Sequence, residues 1–263
     1  MSMFGLKEAE VAQLVRAVTS DDLDRDAIEE RFARAAWTGI AEPGDRVAGR
    51  LIETMGAPRA LAAVLERRSA EALLAETGDA LTADELRQGF ERWQPRLTSG
   101  SALIALRLAA RVGARLRVPS DEYWPQGLAS LDAHAAIALW TRGTADAYPV
   151  LEHSIALVGA RAATGYGEHV TMEASAGLVD RGYAIVSGAA YGVDGMAHRA
   201  ALASHGQTIA FLAGGVDRFY PSGHDALLGK IVEEGTVISE LPCGSAPTKW
   251  RYVDRTTAPT LEE

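Results

Sequence analysis

The sequence holds one cysteine, Cys243, among 263 residues. A lone thiol can form neither an internal disulfide nor a multi-thiolate zinc site, and it fits a reducing compartment. Long apolar runs are also missing: Ser101 to Ala110 falls well short of the ~18 residues that a membrane span requires. Met1 to Lys7 lacks the basic start and apolar run of a secretory leader, so the cytoplasm is the expected setting and no membrane partner is expected. A basic excess is missing too. The chain carries 26 Lys and Arg against 35 Asp and Glu, a formal net charge of −9, which excludes coating duplex DNA by bulk electrostatics. From Tyr148 onward there are eight Lys and Arg against thirteen Asp and Glu. A polyanion would therefore have to be held locally, by backbone N–H groups and helix N-termini.

The nucleotide fingerprints are absent as well. No G-x-G-x-x-G occurs, and the second apolar run of the C-terminal half ends in Ser187-Gly188 rather than in the acid that would grip a ribose. Gly229-Lys230-Ile231 lacks the glycine spacing and the hydroxyl of a P-loop. Neither NAD nor P-loop ATP chemistry is supported, and no cofactor is expected.

What is present is 48% hydrophobic residues, enough for one large or two modest domains. Residues 1–95 are rich in Ala, Leu, Arg and Glu, with apolar positions at helical spacing (Leu51, Met55; Leu61, Val64, Leu65), and they predict a small helical domain. Turns interrupt it at Ala41 to Asp45 and at Gly56-Ala57-Pro58. This is similar to a helix-hairpin-helix, but Glu42 and Asp45 stand where phosphate would need neutral glycines, so a packing module is the first reading.

From residue 100 to 255 the pattern predicts a doubly wound α/β domain with a mostly parallel, extended Rossmann-like sheet, followed by a divergent tail over residues 256–263. Strands are expected at Ala114 to Val118 and Ala135 to Trp140, then, after a linker from Gly143 to Pro149, at Ile155 to Val158, Tyr183 to Val186, Thr208 to Leu212 and Thr236 to Ile238. The last four start ~25 to 30 residues apart, the length of a βαβ unit. The helices between them show apolar stripes: Val170, Ala174 and Leu178; Val193, Met196, Ala197, Ala200 and Ala201; Leu227, Leu228, Ile231 and Val232.

Ligands on such sheets bind beyond the carboxyl ends of the strands, which selects the loops after them. The first, Gly159 to Gly167, has glycines at both ends, Arg161 just past the strand and Tyr166 at the helix start. Arg161 reads as a phosphate ligand, with an ion pair to Glu168 or Asp194 as the alternative. The second, Ser187 to Asp194, repeats the design through Gly188 and Gly192 and forms a second anion nest. Asp194 and His198 lie four apart, and they read first as a capping carboxylate and a packed imidazole, second as an acid–base pair. The third loop sets Gly214 and Gly215 ahead of Arg218, Phe219 and Tyr220, a basic group beside rings on which unpaired bases could stack or which could simply close the sheet. The loops together suit a phosphate-bearing ligand, single-stranded nucleic acid first.

Four segments, Ile155 to Arg161 with Tyr166-Gly167, Ile185 to Asp194 with Ala197-His198, Thr208 to Pro221, and Ile238 to Pro242, resemble in order and spacing the DNA-processing protein A (Smf) family. The resemblance implies an extended Rossmann fold behind a helical domain and a non-enzymatic protein that binds single-stranded DNA in natural transformation and loads the RecA recombinase onto it, working as a homodimer. It places the family's glycine-arginine loop on Gly159 and Arg161, and its S-G-x-A-x-G-x-D loop on Ser187, Gly188, Ala190, Gly192 and Asp194. Two positions depart from the pattern. Gln207 stands where the family commonly has a basic residue, and Lys249 to Arg255 follows the family tail only as far as Arg255, as a shortened or frame-shifted reading frame or a cut piece would. Two alternatives stay open: a nucleotide-binding enzyme of the lysine-decarboxylase-like (nucleoside monophosphate glycosidase) group, and a degenerate member that binds neither ligand.

Overall fold

The computed structural model describes residues 2–19, 22–98, 100–144 and 147–248. The chain forms two compact units, one of Met1–Pro119, Leu128–Leu139 and Glu240–Pro242, the other of Ser120–Gly127, Trp140–Ser239 and the chain from Cys243 onward.

The first unit is helical. A short antiparallel pair, β1 (Ser2–Met3) and β2 (Leu6–Lys7), leads into α1 (Glu8–Val18), α2 (Arg25–Ile40), α3 (Arg46–Met55), α4 (Ala57–Leu65), α5 (Ala70–Thr77), α6 (Ala83–Trp93) and α7 (Ser101–Val112), then the strand β3 (Arg115–Arg117). Local chemistry sets the starts of these helices. Asp24 caps α2, Ser69 caps α5, and Thr82 with Glu85 closes a reciprocal capping box on α6. Gly56, at φ +81°, turns the chain between α3 and α4, and Pro58 sits in the first turn of α4, where its missing N–H costs nothing. The core gathers Trp37, Leu51, Leu61, Leu73, Leu86 and Trp93, the two indoles meeting edge to face at 5.2 Å. Leu65, expected on the inward stripe, is exposed. The turn that was compared with a phosphate hairpin spends its carboxylates internally. Asp45 caps α3 and accepts the Trp93 indole N–H at 3.0 Å, while Glu42 pairs with Arg96.

The second unit is α/β, a sheet flanked by helices. Its elements are β4 (Leu139–Gly143), α8 (Ala147–Leu151), β5 (Ser154–Ala156), α9 (Gly165–Val179), β6 (Ala184–Ser187), α10 (Val193–Ala203), β7 (Thr208–Phe211), α11 (Asp225–Glu234) and β8 (Thr236–Ser239). The strands follow one another in the order β4-β8-β7-β6-β5. Strands β5 to β8 are mutually parallel, with Ile155 opposite Ile185, Ile185 opposite Thr208 and Ile209 opposite Thr236, whereas β4 runs antiparallel to β8. Parallel neighbours need crossovers, and α9, α10 and α11 supply them.

Three local expectations change. The strand expected from Ala135 begins only at Leu139, because a turn at Asp132 (φ +51°), closed by Ala135 N–H to its carbonyl, holds the preceding stretch out of the ladder. Gly143 to Pro149 is not a linker: Thr144 N–H donates to Gly235 O at 2.8 Å, and α8 starts at Ala147. The buried face of α9 is Thr171 and Ser175 rather than Val170 and Ala174. Ser175 Oγ donates to Ala197 O of α10 at 2.8 Å, so the two helices approach through small residues and the bulky Val170 and Met172 face outward. Size, not hydrophobicity, chose that face. No described helix is long and apolar enough to cross a membrane.

Candidate functional site

The loops after β5, β6 and β7 lie at the carboxyl ends of parallel strands, and each leads into a helix. The first runs from Leu157 to Thr164, and residues 158–162 are exposed, Arg161 among them. Thr164 caps α9, its hydroxyl accepting from Gly167 N–H at 3.2 Å. Tyr166 is the most exposed of the large hydrophobic side chains among the described residues, at 79%. The positive end of α9 therefore opens to solvent beside a guanidinium and an aromatic ring. Gly159 has a packing reason as well: a Cβ there would stand 2.7 Å from Val193 Cγ2, at the start of α10.

The second loop has the same composition and a different construction. Its helix, α10, begins at Gly192 with no side-chain cap, and the carbonyl of Ala160 in the first loop accepts from Val193 N–H at 3.2 Å. Gly192 sits at φ +75°, and a Cβ on it would stand 2.1 Å from that carbonyl oxygen, so only glycine fits. Asp194 is buried, and its carboxylate accepts from Ala190 N–H at 3.3 Å, with the backbone of Gly159 and Gly188 also favouring its charged form. Burial nevertheless raises its pKa above the ordinary aspartate value. The nest expected to take phosphate is thus occupied by a carboxylate of the same chain. Asp194 does not cap the helix either; it turns back and ties both loops together. Ser187 is buried, and its hydroxyl donates to Leu157 O at 2.6 Å, bridging β6 to the end of β5.

The third loop divides in the same manner. Gly214 and Gly215 are buried beneath the later chain: Gly215 N–H donates to Ser245 O at 3.0 Å, and a Cβ on Gly214 would stand 2.9 Å from the same oxygen. These glycines pack against their own chain. Phe219 is half-buried with the Arg142 guanidinium 5.4 Å from its ring centre, while Arg218 is exposed and Tyr220 is 51% exposed. The two rings therefore part company, one packing against the unit and one reaching solvent.

Of the predicted residues, Arg161, Tyr166, Gly167 and Arg218 are placed at or near the surface. Ser187 and Asp194 lie buried, Gly188 and Gly192 partly so, Gly159 is exposed in the first loop, and Gly214 and Gly215 are buried. Ser187, Asp194 and Gly215 engage their polar groups within the chain, the Ser187 hydroxyl with Leu157 O, the Asp194 carboxylate with Ala190 N–H, and Gly215 N–H with Ser245 O. Arg255 lies outside the described residues.

The acid–base alternative for Asp194 and His198 fails on geometry. His198 is fully buried and its Nδ1 lies 2.7 Å from Thr208 Oγ1, while that hydroxyl's own proton goes to Ile185 O at 2.9 Å. Nδ1 must therefore be the protonated nitrogen, and Nε2 is left buried without a hydrogen-bond partner. Burial first, and then the nearby His224, lower its pKa to about 3. Cys243 is equally inert: burial and then Asp217 push its thiol up to about 12. Among the described residues no cluster of His, Cys, Asp and Glu could hold a metal ion.

Two residues without a predicted role belong to this surface. Tyr191 is 47% exposed, and His224, buried, meets it edge to face at 4.9 Å. Their pairing joins the second loop to the third and left no local pattern in the sequence.

The family model for DNA recombination-mediator protein A matches residues 115–257, more than half of the chain. A putative DNA processing protein DprA of Mycobacterium tuberculosis is 40% identical over 200 residues, covering 70% of this chain and 51% of the relative. The DNA processing protein DprA of Bacillus subtilis is 29% identical over 180 residues, 67% of this chain and 57% of the relative. The chain thus spans little more than half the length of these curated relatives. The X-ray structure of DNA processing protein A from Streptococcus pneumoniae superposes with a TM-score of 0.61 at 21% identity, covering 86% of this chain and 72% of that one, a likeness of fold.

Proposed function

Because the chain belongs to the DNA recombination-mediator protein A family, we propose that its second unit binds single-stranded DNA and serves recombination as a mediator without a catalytic step of its own. The carrying observation is the open end of α9. Arg161 and Tyr166 are exposed around a helix N-terminus capped only by Thr164, in a unit whose other glycine-rich loops are closed by their own chain. A helix N-terminus and a guanidinium attract phosphate, and exposed rings attract unpaired bases. Acidic surroundings penalise the denser charge of a duplex. Within this reading the strand is incoming DNA in the cytoplasm during natural transformation, the recipient is the RecA recombinase, and the working form is a homodimer.

The test is a titration of the purified chain with a labelled polythymidine and with a duplex of equal length, beside a nucleoside monophosphate. The single strand is expected to bind several-fold more tightly than the duplex, and the monophosphate to leave that binding undisturbed. Equal or stronger duplex binding overturns the reading. Displacement of the strand by the monophosphate would favour the nucleotide-binding enzyme instead.

A further inference from the structure

We infer that Tyr191 is a base-stacking platform for the bound strand, an inference that rests on the single-strand reading above. The loop that carries it is tied down by hydrogen bonds from two sides. Ala189 sits at φ +58°, a left-handed conformation that is unfavourable for a residue with a Cβ. Its neighbours compensate from two directions. The Ala189 carbonyl accepts from His224 Nδ1 at 3.0 Å, and Ala190 N–H donates to the Asp194 carboxylate. A carbonyl cannot donate, so His224 carries its proton on Nδ1, and its ring orientation is fixed by that bond.

The buried His224 ring then supports the edge of Tyr191 at 4.9 Å and 67° between planes. A Cβ on Gly223 would stand 2.6 Å from Tyr191 Oη, so a glycine there leaves room for the phenol. On the other side, Gly192 abuts the carbonyls of Ala160 and Arg161 in the first loop. Tyr191 is therefore fixed between the backbone next to Arg161 and the loop that carries the exposed Tyr220. Strain held at Ala189, two residues before an aromatic side chain that stays half exposed, points to use of that side chain. A ring already immobilised loses little entropy on stacking, and every base offers it a π-face, so the contact suits a strand of any sequence.

The experiment compares wild type, Tyr191→Phe and Tyr191→Leu on a labelled polythymidine and on a strand of the same length made of abasic units. Stacking on one base contributes on the order of 1–3 kcal/mol, which is roughly 5- to 150-fold in affinity. Tyr191→Phe is expected to bind polythymidine as wild type does, and Tyr191→Leu at least fivefold more weakly, with the melting transition of each unchanged. On the abasic strand all three should bind alike. Equal polythymidine affinity for the leucine variant, or the same loss on the abasic strand, overturns the platform while leaving single-strand binding intact. Should the leucine variant not fold, a wild-type chain that binds the abasic strand as tightly as polythymidine overturns it as well. Wild type that binds neither strand overturns the functional reading and this inference with it.

Discussion

The β5–α9 and β6–α10 loops share a sequence design, glycines feeding the start of a helix, yet one presents its helix end to solvent and the other has filled it. The difference lies in one side chain. In α9 the first-turn acid, Glu168, follows a threonine cap, and Thr164 satisfies one N–H from outside. In α10 the first-turn acid is Asp194, buried and turned back into the loop, and no side chain caps the helix. A glycine-rich turn before a helix is therefore a nest for an anion, but whether the anion is a ligand or a carboxylate of the same chain depends on residues inside the helix. Here the filled nest is closed by its own chain, and the open one is where the proposed ligand contact lies.

Breaking the filled nest should have the largest effect. Asp194→Ala would leave backbone N–H groups of the loop unpaired, the buried Ala190 N–H among them, and remove one of the two supports of the left-handed Ala189, and it is expected to cost about 3 kcal/mol of unfolding free energy. The matching change in the open loop, Thr164→Ala, removes a cap whose N–H water can reach and should cost about 1 kcal/mol. Chemical denaturation of both variants checks the contrast; equal losses would mean that the loops do not differ as described.

Arg161→Ala should weaken every single-stranded oligonucleotide by a similar factor, about 1.5–3 kcal/mol as for a charge-assisted contact, while stability stays near wild type. Unfolding of the variant with binding unaltered would give Arg161 a structural ion-pair role instead.

The strands of the second unit were legible because runs such as Ile185-Val186 and Thr208-Ile209-Ala210 are short, apolar and β-branched, and glycines close the helices between them. Loop positions followed from the same punctuation. Three things were not legible. The inward face of α9 was set by close helix approach through Ser175, which a hydrophobic stripe cannot register. The direction of the Asp194 carboxylate depends on backbone from two loops, one of them far earlier in the chain. The brace beneath Tyr191 comes from His224, which is remote in sequence and becomes a neighbour only when the third loop folds over the second. Residue type and spacing locate a loop; they do not say whether its polar groups point outward or are already spent.

The smallest expected effect concerns the floor of the filled loop and is read by pH. His198 stands one turn after Asp194 in α10, fully buried, with Nδ1 donating to Thr208 and Nε2 unpartnered. Burial, His224 and Arg199 all oppose a second proton on it, which is why its pKa falls to about 3. In the unfolded chain the imidazole regains an ordinary value near 6.5. Between these values the unfolded state binds a proton that the native state refuses, so native stability is intact above about pH 6.5 and declines as the pH falls towards 3. The slope from this one group approaches about 1.4 kcal/mol per pH unit only well below pH 6.5, so about 1 kcal/mol should be lost between pH 6.5 and 5.5. His198→Asn retains a donor for Thr208 and removes the titration. Denaturant unfolding of both proteins at the two pH values should show a decline in wild type that is shallower by about one proton in the variant. Parallel declines would place the acid sensitivity elsewhere in the molecule and leave the floor of the second loop indifferent to pH.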